Sequence, residues 1–258
     1  MSARTDAIVD WLRQRLQASA ARGFVVGLSG GVDSAVVARL CQAAAPANTV
    51  AVMLPCHSDP QDEEDAQLVA AHFRLPSVRI DLGSTYDHLA NVVVKATMEL
   101  PKEHFPDAAH GPEDIKARVP LANIKPRLRM TSLYFIANTL NYLVAGTGNR
   151  SELAIGYFTK YGDGGVDLLP IGELLKGEVT AAARELGVPD RVIEKPPSAG
   201  LWLGQTDEAE MGFAYAELEE YLSRGAETVS PALAMRIERL IRASEHKRAM
   251  PPTPGANA

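Results

Sequence analysis

The sequence predicts an α/β fold, a doubly wound parallel sheet with helices on both faces. Two observations carry this. Apolar strand-length runs alternate with helical periodicity from the first residues onward, and one strand, "FVVGL", runs straight into a glycine turn and a helix, "SGGVDSAVVARL" (residues 24–40). Such alternation favours right-handed crossovers between parallel strands.

Taken in order, Asp6–Ala20 reads as an amphipathic helix, Phe24–Leu28 as a buried strand and Val32–Ala45 as a helix. Thr49–Leu54 and Ser77–Leu82 are the next strands, with helices over Asp62–Phe73 and Tyr86–Met98. Residues 100–119, "LPKEHFPDAAHGPEDIKARV", mix Pro, Gly and charge without period and read as an irregular excursion. A long helix over Arg127–Asn141 then leads into the strand "YLVAGTG", a short helix over Arg150–Phe158, a glycine-rich segment and a helix over Gly172–Leu186. Residues 189–212 form a second irregular stretch, Tyr215–Met250 is helical, and "PPTPGANA" reads as a frayed tail. No internal repeat and no domain-sized linker interrupts the chain, so residues 1–258 are expected to form one domain, ordered over about 5–251.

Composition narrows the function classes. With 46% hydrophobic and 22% charged residues the chain is an ordinary globular protein, long enough to bury a substantial core. A formal net charge of −6 speaks against a nucleic-acid partner, whose footprint is basic. It leaves room for an anionic substrate held locally by backbone amides and a few cations. The two cysteines, Cys41 and Cys56, make neither a disulfide framework nor a metal-ligand spacing, which suits a reducing compartment. The N-terminus has charges scattered through it where a signal peptide needs an apolar core, and no apolar run approaches membrane-spanning length. A cytoplasmic protein without a membrane partner is expected.

The glycine turn carries the chemistry. Amides of a turn and of a helix N-terminus converge where the strand ends and can hold anionic oxygens, and glycines let the backbone approach closely or take positive φ. Ser29 and Ser34 add hydroxyls. Asp33 cannot bind phosphate directly, but it can hold a magnesium ion that bridges to phosphate. The lysine of the Walker loop, G-x-x-x-x-G-K-[ST], is missing. A plain glycine turn, with Ser34 satisfying the first helical turn, is the alternative.

"SGGVDS" resembles the S-G-G-x-D-S pyrophosphate loop of the N-type ATP pyrophosphatases, which hold the β,γ-pyrophosphate and leave the α-phosphorus open to attack. Further strings narrow the resemblance: "NIKPRLRM" (123–130), "GTGNRSELAIGYFTKYGDGGVDLLPIGELLK" (146–176), "PPSAGLWLGQTDEAEMGFAYAELEEYL" (196–222) and "EHKRAMP" (245–251). Together they are similar to the NAD synthetase family, and cover most of residues 5–251.

The resemblance implies a Rossmann-like fold of the adenine nucleotide alpha-hydrolase type and an ATP-dependent amidation of deamido-NAD by ammonia through an NAD-adenylate. ATP is the co-substrate and Mg2+ the metal. It places ATP against Gly27, Leu28, Ser29, Gly30, Gly31, Val32, Asp33 and Ser34, with Thr147, Lys176 and Ser198. It carries over Asp33 and Glu152 as magnesium ligands, Arg127, Lys160, Asp167, His246 and Lys247 as deamido-NAD contacts, and Asp163 as a group of the reacting centre beside Asp33 and Lys176. Lys176 would supply the cation that the opening loop lacks. Arg129 reads as either a further contact or a structural arginine.

Three departures from the family pattern stand out. Ser198 takes the place of a common threonine and keeps its hydroxyl. Pro126 replaces an alanine. Gly148, Asn149 and Arg150 change the string around Thr147 and Glu152, although the spacing of those two is kept. The resemblance further implies a homodimer with the dinucleotide at the subunit interface, and the short ammonia-dependent type, since the chain begins about 20 residues before the loop and leaves no room for a glutaminase domain. The two irregular stretches are candidate lids over a water-sensitive adenylate. Another ligase of the same group, or a nucleotide sensor without catalysis, are the competing readings.

Overall fold

A computed structural model describes residues 2–104, 115–198, 200, 202 and 205–254. Four short parallel strands form its sheet: β1 (Phe24–Gly27), β2 (Thr49–Met53), β3 (Ser77–Arg79) and β4 (Leu143–Ala145), in the order β3-β2-β1-β4. Phe24 pairs with Thr49 on one side and Leu143 on the other, so β1 is central. Its Phe24, Val25 and Val26 are fully buried, as a parallel strand covered on both faces requires. A bridge between Ala145 and Leu168 continues the pairing beyond β4. The strand order reverses between β1 and β4, the doubly wound arrangement expected.

The first half of the chain adds helices α1 (Ala3–Ser19), α2 (Val32–Ala44), α3 (Pro60–His72) and α4 (Gly83–Met98). The second half adds α5 (Ile115–Ala122), α6 (Ile124–Leu140), α7 (Arg150–Ile155), α8 (Lys176–Leu186) and α9 (Asp190–Ile193). It ends with α10 (Asp207–Met211), α11 (Tyr215–Arg224), α12 (Pro231–Ala243) and α13 (Glu245–Arg248). One core lies between the sheet and α1, α2, α3 and α8, centred on Leu12, Val36, Leu40, Val69 and Val179. The other lies under α6, with Val25, Val52 and Val144 facing Ala137 and Leu133. A third cluster joins α7 to α11 and α12 through Ile155, Leu218 and Ile237.

The boundaries differ from the sequence reading where local chemistry is decisive. α3 begins earlier than expected, at Pro60, because the Asp59 side chain caps it by accepting from the Gln61 N–H. α7 ends at Ile155 because Gly156 takes the left-handed conformation (φ 71°). α8 begins at Lys176 rather than Gly172, because Glu178 reaches back to accept from the Leu175 N–H at 2.8 Å. The helical C-terminal segment is broken at Gly225 (φ 102°) and again at Ser230–Pro231, where Ser230 caps α12. The stretch 100–119 contains the start of α5, and part of it, 105–114, lies outside the described residues, as do 255–258 of the tail. The stretch 189–212 contains α9 and the start of α10.

Candidate active site

The C-terminal ends of β1, β2 and β4 open into one cleft of about 730 Å³, the place where a doubly wound sheet binds its ligands. Of the residues singled out in the sequence, Gly27, Leu28, Ser29, Gly31, Val32, Asp33, Ser34, Thr147, Glu152, Asp163, Lys176, Ser198 and Lys247 line it. These come from four separated strings, and Pro126 and Arg129 of a fifth, residues 123–130, line the same space.

The glycine turn forms one wall. Gly30 has φ 83°, and a Cβ there would lie 2.2 Å from the Asp62 carbonyl oxygen, so the turn needs glycine both for its backbone and for its packing against α3. The N-cap of α2 is Gly31, which has no side chain with which to cap the helix. The first-turn amides thus lack the acceptor that Ser or Asp gives other helices, and with the helix dipole they favour an anion. Ser34 is spent inside the loop: its hydroxyl donates to the Gly31 carbonyl at 2.9 Å, accepts from the Ser29 N–H at 3.2 Å and lies 3.1 Å from the Ser29 hydroxyl. It shapes the turn, and the Ser29 hydroxyl stands nearer the opening.

Across the cleft, α7 and α8 bring charge to Asp33. The Lys176 ammonium, 8% exposed, is ion-paired with Asp33 Oδ2, while Asn149 Nδ2 donates to Asp33 Oδ1 at 3.0 Å. Asn149 also caps α7: its Oδ1 accepts from the Glu152 N–H at 3.0 Å, and Glu152 Oε2 accepts from the Asn149 N–H at 3.1 Å. The cap aims Glu152 toward Asp33. Burial and then the Asp33 charge push the Glu152 carboxyl up to about 8. Burial disfavours the Lys176 ammonium, but Asp33 and Glu152 outweigh it and hold its pKa above the ordinary lysine value. The Lys176 ammonium also stands 5.4 Å from the centre of the Tyr215 ring. Tyr215 donates in turn to Asp207 Oδ2 at 2.9 Å, and burial raises the Asp207 carboxyl.

A divalent cation fits this arrangement. Among the described residues no group of three or more His, Cys, Asp or Glu side chains forms a metal-binding set. Magnesium, however, takes one or two carboxylates and completes its shell with water and substrate phosphates. Burial is the main cause of the raised Glu152 carboxyl, and a cation held by Asp33 and Glu152 would relieve the part that comes from the Asp33 charge.

The residues expected to contact the second substrate divide. Lys247 lines the cleft but donates to the Gly156 and Phe158 carbonyls, each at 2.7 Å, which fastens α13 to the end of α7. Asp163 lines it too, and its Oδ1 accepts from the Thr159 N–H at 2.9 Å. Arg127, Lys160, Asp167 and His246 do not line the cleft. The first, second and fourth are brought together beside it: Arg127 donates to the Lys160 carbonyl at 3.3 Å, and Lys160 donates to the His246 carbonyl. The Asp167 carboxylate is occupied by the Val144 N–H at 2.8 Å and the Tyr134 hydroxyl at 3.0 Å.

Sequence reasoning missed Asp207 and Lys195, and named Asn149 only as a departure from the family string, without its bonds to Asp33 and Glu152. Only Asn149 left a signal, since N-x-x-E ahead of a helix is a capping box. Arg129, left open between two roles, lines the cleft and donates to the Leu54 carbonyl and the Ser58 hydroxyl, each at 3.1 Å.

Comparison with known proteins agrees with this geometry. The family model described as NAD synthase matches residues 4–251. An NH3-dependent NAD+ synthetase of Carboxydothermus hydrogenoformans is 50% identical over 97% of this chain and 96% of its own. Among solved structures, an NMN synthetase from Francisella tularensis has a TM-score of 0.86 at 35% identity, covering 99% of both chains. An NH3-dependent NAD synthetase from Campylobacter jejuni has a TM-score of 0.75 at 30% identity, covering 98% of this chain and 99% of that one. With the loop, the charged cluster and these relatives all in agreement, the chain belongs to the NAD synthase family.

Proposed function

We propose that this protein amidates deamido-NAD to NAD with ammonia, using ATP and releasing AMP and pyrophosphate. The observation that carries the reading is the meeting, in one cleft, of the uncapped α2 N-terminus with Asp33, Glu152 and Lys176. The relative from C. hydrogenoformans, matched almost end to end, bears the name of an NH3-dependent synthetase.

In this reading the β- and γ-phosphates lie against Gly27, Leu28, Ser29 and the Gly30–Gly31 turn, with the first-turn amides of Val32 and Asp33 behind them. Thr147 and Ser198 flank the nucleotide. Asp33 and Glu152 would hold Mg2+, which when bound offsets charge on the phosphates. Lys176, ion-paired with Asp33 at the edge of the loop, stabilises the departing pyrophosphate. The nicotinate carboxylate attacks the α-phosphorus, forming an acyl-adenylate as the bond to the β-phosphate oxygen breaks. Ammonia then attacks the acyl carbon and AMP leaves. A carboxylate resists direct amidation because oxide and hydroxide are poor leaving groups, and AMP removes that obstacle. Asp163, its carboxylate fixed by the Thr159 N–H, orients the ammonia or accepts its surplus proton. Lys247, Arg127, Lys160, Asp167 and His246 are assigned to the dinucleotide, the last four on the face beside the cleft.

The exposed apolar surface of α4 and α6 supports a homodimer. Val92, 51% exposed on α4, and Phe135, 74% exposed on the adjoining α6, are apolar surface that a second copy would cover. No described helix is long and apolar enough to cross a membrane, and the two free, buried cysteines suit the cytoplasm.

The likeness to an NMN synthetase favours a second reading, in which the acceptor is the corresponding mononucleotide. One assay separates the two: release of pyrophosphate and amide product from MgATP and ammonium, with deamido-NAD or nicotinate mononucleotide as acceptor. NAD formed with ammonium but not glutamine supports the first reading, and preference for the mononucleotide supports the second. No pyrophosphate with either acceptor overturns both.

A further inference from the structure

The first turn of α3 touches two parts of the ATP site at once. On one side the Asp62 carbonyl oxygen abuts Gly30 so closely that no Cβ fits between them. On the other, the Asp62 carboxylate receives the Lys195 ammonium at 2.7 Å, and the same ammonium reaches Asp65 Oδ2 at 2.6 Å. Asp65 is 2% exposed, and its second oxygen takes Arg191 Nε at 2.7 Å and Gln61 Nε2 at 3.2 Å. Each oxygen of this buried carboxylate is thus occupied, and Lys195 is held by two anions at once.

The residues just beyond Lys195 give the anchor its importance: they are Pro196, Pro197 and Ser198. Two prolines fix φ and bias the residue before each toward extended backbone, so the segment is a stiff arm with little freedom between its anchor and Ser198. Its far end is fastened as well: the Pro197 carbonyl accepts from the Asp207 N–H at 3.1 Å, and the Ser198 hydroxyl accepts from the Gly200 N–H at 3.1 Å. The two carboxylates outweigh burial and keep the Lys195 ammonium charged.

We propose that Lys195, through its bridge to Asp62 and Asp65, is the positioning residue that holds Ser198 in register with the Gly30–Gly31 turn. α3 is then the common base of both walls of the phosphate site. A strap that only crossed the surface would need no such base. The inference rests on the reading of the cleft as an ATP site.

The test is a mutant cycle in MgATP affinity, measured by calorimetry on the full chain. The double variant Asp62→Asn/Lys195→Met removes the bridge while leaving the net charge beside the cleft unchanged, and Asp65 keeps Arg191. It and Ser198→Ala should each bind MgATP about tenfold more weakly, the size of a lost hydrogen bond to a charged group. The triple variant should be no more than about twofold weaker than Ser198→Ala alone, because Lys195 acts through Ser198. Losses that multiply in the triple variant would mean that Lys195 meets the phosphates itself, and would overturn the inference. So would a bridge-less variant that binds like the wild type, or a silent Ser198→Ala. If the double variant does not fold, Lys195→Ala carries the same cycle. A wild-type chain that does not bind MgATP overturns the ATP reading and this inference together, whereas wild-type binding with multiplying losses overturns the inference alone.

Discussion

Asn149 Nδ2 donates to Asp33 Oδ1 at 3.0 Å, joining the start of α7 to the start of α2 across 116 residues of sequence. The same side chain caps α7 and sets the direction of Glu152. One amide therefore fixes the distance between the two carboxylates assigned to magnesium. Asn149 is fully buried, so its removal leaves the Glu152 N–H and one Asp33 oxygen without their partner. Asn149→Ala should lower stability by about 1–2 kcal/mol, the usual cost of a lost cap with a buried acceptor. It should also raise the magnesium concentration needed for half-maximal turnover. Chemical denaturation and a magnesium titration check both. Asn149→Asp keeps the cap but replaces the donor to Asp33 with a buried like charge, and should lower stability more than Asn149→Ala does.

Lys176 is the cation that balances Asp33 while no metal is bound. Removing one member of a buried pair leaves an uncompensated charge. Lys176→Met should therefore destabilise the free protein by roughly 3 kcal/mol and cut turnover about 100- to 1000-fold, as the loss of one preorganised charge at a leaving group does. The informative comparison is thermal unfolding with and without millimolar magnesium. The variant should gain more from magnesium than the wild type, because the Asp33 oxygen that Lys176 occupies becomes available to the metal.

The sheet and the pyrophosphate turn were legible in the sequence because each rests on local pattern: the apolar run of β1, the glycines, and the helix directly after them. Asp33 was legible in the turn itself, as a carboxylate able to hold magnesium, whereas Glu152 and Lys176 took their place beside it through the family resemblance of residues 146–176. Asp207 and Lys195 were not legible, because what makes them notable is their tertiary partners. Asp207 matters through Tyr215 and the neighbouring Lys176, and Lys195 through a helix 130 residues earlier. The start of α8 was misplaced for a similar reason. Gly172–Leu175 has helix-compatible residues, but Ile171 and Leu174 turn into the core there, and Glu178 defines the first turn.

The raised Asp207 carboxyl gives a pH dependence with a definite sign. Burial holds its native pKa above that of the unfolded chain, so the native state keeps its proton over a window in which the unfolded state has lost it. The unfolded state binds fewer protons there, and stability falls as pH rises from the ordinary carboxylate range through the native value. Asp207→Asn has no proton to lose and its amide oxygen can still accept from Tyr215. Its melting temperature should exceed that of the wild type at pH 8, and the gap should shrink as the pH is lowered toward 4. A gap that grows on acidification would show that the carboxylate is stabilised in the fold.

Phe135 tests the subunit arrangement. It stands 74% exposed on α6, the helix whose first turns carry Arg127 and whose Tyr134 holds Asp167. An exposed phenylalanine gains nothing from water, and the apolar residues Leu89, Val92 and Val93 of the adjoining α4 extend the surface around it. If a second copy covers this face, Phe135→Asp buries a charge at the interface and should convert a dimer to a monomer in analytical ultracentrifugation. Since Arg127, Lys160 and His246 lie beside the cleft rather than in it, loss of the partner should raise the KM for deamido-NAD far more than the KM for ATP. The ATP side, built from the Gly30–Gly31 turn, Asp33, Glu152 and Lys176 within one chain, should bind as before. A dimer that survives the substitution, or equal losses for both substrates, would place the dinucleotide within a single subunit.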